Sequence, residues 1–293
     1  MVLLTMFPLL LIALTAAFFH IINLFDEEPA TGTAVNDQIL TTLPVVLGAV
    51  IIWFLIAWAG HSKMIQRATG AKPLERKENK RVYNLLENLC ISRGITPPKL
   101  FIIQDNSLNA FASGINENSF AITLSQGIID KLDDDELEGV IAHELSHIRN
   151  RDVRLLIVSI IFVGIFAFVT EIALRSLRFS GRGKKGKGGA VVLVIIALAA
   201  LGWLLSTLFR FAISRKREYM ADAGAVELTK NPLALANALE KVSADPYIEA
   251  VKRDDVAQLF IEHPTPKEKK SALTSIFATH PPIKKRIEVL RQF

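Results

Sequence analysis

The stretch Val140–Arg149 reads Val-Ile-Ala-His-Glu-Leu-Ser-His-Ile-Arg and contains His143-Glu144-x-x-His147. On a helix, positions i and i+4 lie one turn apart on the same face. Two imidazoles so placed can grip one metal ion, with Glu144 beside the metal's open position. Five-residue patterns also arise by chance, and the plain alternative is a charged helix face with two incidental histidines. Against that alternative, Leu137, Val140 and Ile141 give the helix an apolar side to bury, and the small Ala142 and Ser146 flank the ligand positions. Imidazoles joined by a carboxylate suit zinc, one ion per chain, and catalytic zinc keeps three protein ligands plus a water. Zinc acidifies that water and polarises a carbonyl. Glu144 is then the base that takes the water's proton and passes it to a leaving amine.

The third ligand lies elsewhere in the chain. A third histidine soon after the motif is absent, since positions 150 and 153 are Asn150 and Val153. Carboxylates and the histidines outside the motif are the candidates, and Glu218 is the best of them. It sits in Glu218-Tyr-Met-Ala-Asp222, with Asp222 one helical turn on. Glu218 can reach the metal while Asp222 holds the second ring N–H of a ligating histidine. The plain alternative for Asp222 is a surface charge. His280, in His280-Pro-Pro, is either a support of the site, as an oxyanion donor or a partner of a ligand, or a loop histidine before a turn.

The elements that must position these residues are legible in part. Residues 75–93 carry apolar positions at helical spacing and end at Gly94. Lys99–Ile103, Asn109–Gly114 and Ser119–Leu124 read as short strands, the last two around a turn at 116–118. Asp133 with Glu136 three residues on predicts a capping box opening the motif helix, and the acidic first turn suits the helix dipole. Helical patterns recur at 218–229 and 232–243, with a short helix at the end of the chain.

Of 293 residues, 51% are hydrophobic, and the excess is concentrated in four runs. Residues 2–25 and 38–60 hold no charged side chain. Residues 155–174 hold only Glu171, and residues 190–213 only Arg210. A membrane span needs ~20 apolar residues, so an integral membrane protein is expected. The first run lacks a basic lead and exceeds the usual apolar length of a signal peptide, which favours an uncleaved anchor. Residues 26–37 hold four acidic and no basic residues, whereas 61–81 hold seven basic ones. The positive-inside rule then puts 61–81 and the N-terminus in the cytoplasm. The single cysteine, Cys90, excludes an intrachain disulfide and fits a site facing the reducing cytosol. The net charge of +5 lies largely beside the apolar runs, so it speaks for topology and not for nucleic-acid binding.

The expected organisation is a two-span anchor (1–61), a first peptidase segment (62–152), a helical membrane hairpin (153–213) and a second peptidase segment (214–293). Glu218 lies 71 residues beyond His147. Two ligands of one metal require an even number of crossings between them. The loop 175–189 carries six basic residues. A spanning hairpin would place it outside against the charge rule; a hairpin lying at the membrane is the alternative, and the length of both runs favours spanning.

The segments His143-Glu-Leu-Ser-His147, Ser214-Arg-x-x-Glu-Tyr-x-Ala-Asp222, Asn109-Ala-Phe-Ala112 and His280-Pro-Pro282, in this order behind two apolar runs, resemble the HtpX membrane metalloproteases. That family is related to the CAAX prenyl proteases and the mitochondrial OMA proteases. The resemblance implies an α+β, predominantly helical gluzincin-like peptidase domain with a small sheet and four hydrophobic helices. It implies a zinc endopeptidase in a bacterial cytoplasmic membrane, with its site facing the cytoplasm, that clears misfolded membrane or unfolded polypeptides. By motif, His143, His147 and Glu218 become the ligands, Glu144 the base and Asp222 a partner of a ligand. His280 and Arg286 come to lie near the site, and Asn109, Ala110, Phe111 and Ala112 become a substrate-binding edge strand. Without the resemblance, that strand reads as an ordinary buried one.

Other classes fit less well. A membrane metal transporter would keep its ligands inside an apolar span, whereas this motif helix opens with Asp133-Asp-Asp-Glu136 and is followed by Arg149, Arg151 and Arg154. A scaffold with structural zinc has no use for Glu144. A CAAX-type prenyl protease is the runner-up, but its enclosed chamber needs more than four spans.

Overall fold

The computed structural model describes residues 2–24, 30–179, 187–244 and 281–293. The elements in order are α1 (Val2–Leu24), α2 (Gly32–Thr69), β1 (Lys72–Pro73), α3 (Lys80–Arg93), β2 (Lys99–Ile103), β3 (Ala110–Ser113), β4 (Ala121–Ser125), α4 (Gln126–Lys131), α5 (Asp134–Arg149), α6 (Asp152–Phe179), α7 (Lys187–Thr229), α8 (Pro232–Ala244) and α9 (Ile283–Leu290). The fold is mostly helical with one small mixed sheet. It divides into two units, one of Met1–Ala59 with Val158–Arg210 and one of Gly60–Ile157 with Phe211–Phe293.

In the second unit the strands run in the order β1-β2-β4-β3. β2 and β4 are parallel, and β1 and β3 flank them antiparallel. By pleat, Leu100, Ile102, Ile122, Leu124, Ala110 and Ala112 share one face, and all six are buried. α5 packs against β3 and β4 and also against α3 and α8. Its core side is Leu137, Val140, Ile141, Ala142 and Leu145, all fully buried. The expected capping box is present: Asp133 accepts from the Glu136 N–H, and Glu136 accepts from the Asp133 N–H. Lys241 of α8 also donates to Glu136, at 2.6 Å, so the start of α5 is pinned to a neighbour.

Several elements differ from expectation. α3 begins at Lys80 and not at 75, because Asn79 caps it by accepting from the Val82 N–H; Gly94, at φ 64°, ends it as expected. β1 and α4 escaped notice because two and six residues are too short to show a period. The helix at 218–229 is the end of a single 43-residue helix, α7.

In the first unit, Phe7 and Leu11 of α1 pack with Val158, Phe162, Ile165 and Phe166 of α6, and Leu47, Val50, Phe54 and Trp58 of α2 close around them. Among the described residues, two helices are long and apolar enough to cross a membrane, within Phe7–Leu24 and Gly32–Thr69. The third and fourth runs are helical too, within α6 and α7, but the described residues supply only a shorter apolar stretch there, Val192–Leu204. Two of the four expected spans are thus candidates among the described residues. The centre of the basic loop, residues 180–186, lies outside the described residues.

Candidate metal centre

α5 presents His143 and His147 one turn apart, and both face α7. The helices approach closely where Gly224 of α7 meets Ser146 of α5. A Cβ on Gly224 would lie 2.7 Å from Ser146 Oγ and 3.0 Å from its Cβ, so only glycine fits without a shift. Ser146 Oγ is turned back to donate to the Ala142 carbonyl at 2.8 Å. This approach brings Glu218 over the two imidazoles.

The donor atoms converge. His143 Nε2 and His147 Nε2 are 3.2 Å apart. Glu218 Oε2 lies 3.6 Å from the first and Oε1 3.5 Å from the second. A tetrahedral zinc with bonds of ~2.0–2.1 Å holds its ligand atoms ~3.3–3.4 Å apart, so the three fit around one such ion. The other ring nitrogens support this. His143 Nδ1 lies 3.1 Å from Asp222 Oδ1, and His147 Nδ1 lies 3.1 Å from Asp152 Oδ2. The Asp152 carboxylate takes the His147 Nδ1–H, and Asp222 sits against His143 Nδ1 as an ion-pair neighbour, so Nε2 is the nitrogen each ring turns to the site. In the metal-free protein a shared proton or the Arg286 NH2, 3.4 Å from His143 Nε2, can serve these nitrogens, and with both rings neutral they offer two lone pairs to one ion.

Charge leads to the same conclusion. Glu144, Glu218, Asp222 and Arg286 are all buried around the two histidines. With the carboxylates ionised, three negative charges meet one guanidinium, an excess of two that a divalent ion balances. Arg286 reaches in from α9 with its side chain 1% exposed. It donates to both oxygens of Asp222, at 2.7 and 2.9 Å, and its second terminal nitrogen lies 3.2 Å from Glu218 Oε2. Burial raises the Asp222 pKa, but the Arg286 charge and the His143 hydrogen bond outweigh it and hold the carboxyl at about 2. Burial lowers the His143 pKa, but hydrogen bonds to Asp222 and Glu218 outweigh it and raise the imidazole to about 9. Burial pushes the Glu144 carboxyl up, tempered by the adjacent histidines and by a hydrogen bond from the Ala112 backbone.

That last contact places β3. Among the described residues β3 is an edge strand. The Ser125 N–H donates to the Asn109 carbonyl at 3.0 Å, which makes Asn109 and Ser125 a hydrogen-bonded pair. Alternation then turns the backbone groups of Ala110 and Ala112 away from β4, on the side where Glu144 meets Ala112. Asn109 Oδ1 accepts the Ala110 N–H at 3.0 Å. The Phe111 side chain is fully buried and anchors the strand. His280 lies outside the described residues.

A profile of peptidase family M48 matches residues 76–293. The chain belongs to that family. A protease HtpX homolog of Bacteroides fragilis is 57% identical over all of this chain and 94% of its own length. A second, from Dictyoglomus thermophilum, is 39% identical over 84% of this chain and 81% of its own. The Ste24p structure from S. mikatae matches with a TM-score of 0.49 at 20% identity, over 95% of this chain and 61% of that one. The chain is thus an HtpX-type metalloprotease, in line with the resemblance, and the transporter and scaffold readings are set aside.

Two further residues, Asp152 and Arg217, join the site without being singled out by the sequence motifs. Asp152 meets His147, and Arg217 NH1 lies 3.3 Å from Asp152 Oδ1. The available signals were an acidic residue five places after the second histidine and a cation directly before Glu218.

Proposed function

We propose that this chain is a membrane-integral zinc endopeptidase that cleaves misfolded or damaged membrane proteins and unfolded polypeptides in a bacterial cytoplasmic membrane, with its site facing the cytoplasm. The observation that carries the reading is the convergence of His143 Nε2, His147 Nε2 and the Glu218 carboxylate, within 4.8 Å of one another, beside a buried Glu144.

In this reading the two histidines and Glu218 hold the ion, which when bound supplies Lewis acidity towards water and the scissile carbonyl. Asp222 fixes His143 in the tautomer that offers Nε2. Arg286 holds Asp222 and Glu218 in register. Glu144, its pKa raised by burial, takes the proton of the attacking water and returns it to the departing amine. The outward carbonyls of Ala110 and Ala112 pair with an extended substrate backbone and align the scissile bond with Glu144. Such main-chain pairing reads shape more than side chains, which suits a protease acting on unfolded segments.

Residues 1–61 form the anchor, 62–152 and 214–293 the peptidase, and 153–213 a hairpin that leaves and re-enters the same side. The HtpX resemblance supports the quality-control role, and the acidic first loop with the basic segment after the second run supports the orientation.

The test is zinc content and casein cleavage on the detergent-purified chain. Glu144→Ala is expected to keep one zinc and to lose cleavage by about 10²–10⁴-fold; Glu218→Ala is expected to lose both. Full zinc occupancy and cleavage in Glu218→Ala would overturn the ligand assignment. A wild type that binds zinc but cuts nothing after reconstitution would overturn the proposed activity.

A further inference from the structure

The two ligand histidines are held differently. His143 leans on Asp222, itself gripped by Arg286, and all three are buried. His147 is the more accessible ligand, its side chain 15% exposed, and neither Asp222 nor Arg286 is among its partners. Its Nδ1 points to Asp152, the first residue of α6, beyond the end of the motif helix.

The local backbone brings Asp152 there. α5 ends at Arg149 with Asn150 as its cap, and Arg151 takes the left-handed φ of 59°. That conformation is uncommon for a non-glycine residue. The Arg151 N–H still donates to the Ile148 carbonyl at 3.0 Å, so the reversal is tight. The next residue thereby swings back over the last turn of α5, where its carboxylate meets His147 at 3.1 Å through Oδ2 and Arg217 at 3.3 Å through Oδ1. Arg217 immediately precedes Glu218 on α7. One carboxylate therefore touches a metal-ligand histidine and the neighbour of the third ligand. The same ion pair joins the point where the chain leaves the peptidase segment to the point where it returns.

We propose that Asp152 and Arg217 form a positioning clasp for the metal. Asp152 accepts the His147 Nδ1–H and turns Nε2 to the ion, and Arg217 fixes Asp152 while registering Glu218 on α7 against α5. This rests on the zinc-site reading above. Both ends of the inserted segment 153–216 are then tied to metal-ligand geometry. Asp152 touches neither substrate nor metal; it acts through His147.

The test uses the full chain in detergent, stripped of metal and titrated with zinc against a chromophoric chelator, with cobalt as a spectroscopic substitute. Asp152→Asn keeps the shape but loses the charge, and the amide is free to turn its NH₂ to the ring. Its apparent zinc affinity is expected to fall about 10–100-fold, with a changed visible cobalt spectrum and an unchanged melting midpoint of the metal-free protein. Arg217→Gln is expected to show a smaller loss in the same direction, and Arg217→Lys to recover most of it. Zinc affinity within about twofold of wild type in Asp152→Asn, with superimposable cobalt spectra, would overturn the clasp; the threshold lies well below the usual loss for such a partner. So would a lowered metal-free melting midpoint with an unaltered cobalt spectrum, which marks a structural brace only. A wild type that takes up no metal would instead sink the zinc-site reading itself.

Discussion

Arg286 is the residue on which the charge balance of the site turns. It is a fully buried cation with Asp222 and Glu218 as its anionic partners. Removing one member of a buried charge cluster leaves the others uncompensated, at a cost of about 3–5 kcal/mol. Arg286→Ala is therefore expected to destabilise the metal-free chain by about that amount, measured by denaturant unfolding in detergent. Arg286→Lys is expected to recover little, because one ammonium cannot serve both oxygens of Asp222 and also Glu218. His143 gives the site a pH dependence. Its pKa is raised from 6.5 to about 9 in the metal-free protein, so its contribution to stability is fully present below 6.5 and is lost as pH rises through about 9. Zinc needs the neutral ring and must expel that proton. Zinc affinity should thus climb up to about pH 9, roughly tenfold per unit for one proton, while metal-free stability falls over the same range. Chelator competition and thermal melts across pH would show both trends; zinc affinity flat in pH would mean that His143 is already neutral. Much of this site was legible in the chain, because His143, Glu144 and His147 sit at a spacing that only a helix makes useful. Asp152 offered only its place five residues after His147 as a signal, because its approach depends on the left-handed Arg151, and nothing in that residue's type announces it.

At the scale of elements, the site depends on how closely α7 approaches α5. Alanine has the better intrinsic helix propensity by ~0.8–1.0 kcal/mol, so Gly224→Ala would stabilise an isolated α7. Here the added methyl would sit 2.7 Å from Ser146 Oγ. Overpacking a tight contact costs about 1–3 kcal/mol, and it outweighs the propensity gain. Gly224→Ala is expected to lower both stability and zinc affinity, since the shift moves Glu218 away from the histidines. Ser146→Ala in the same chain removes the nearer atom and should restore part of both. A Gly224→Ala variant more stable than wild type at equal zinc affinity would mean that the helices have slack. The elements around the site were mostly predictable: the capping box at Asp133 and the Gly94 stop are local signals, and local signals survive folding. β1 has no local signal, since Lys72–Pro73 becomes a strand only because β2 lies beside it. The edge position of β3 is likewise a fact of sheet order, invisible in Asn109–Ala112 alone.

At the scale of the whole molecule, the question is what solvent the first unit was built for. Ile51, Ile52, Leu55 and Ile56 of α2 are 57–67% exposed. A row of apolar side chains facing outward on a helix is costly in water and ordinary in lipid. The chain is expected to stay with the membrane fraction through alkaline carbonate and to leave it only with detergent. Its orientation can be read with cysteines, because the native background is silent: Cys90 is buried, and burial pushes its thiol up to about 11, far from the reactive thiolate. Gly32→Cys probes the loop side, where an added Cβ meets nothing within 4 Å, and Glu117→Cys probes the exposed turn between β3 and β4. With the peptidase in the cytoplasm, a membrane-impermeant maleimide should label Gly32→Cys in spheroplasts of a bacterial host and label Glu117→Cys only after lysis. The reverse pattern would place the metal centre outside and set the acidic first loop and the basic segment after α2 against the rule that predicts their sides. Equal labelling of both in intact spheroplasts would leave no barrier between them, and α2, despite its length and apolar surface, would then not be a span.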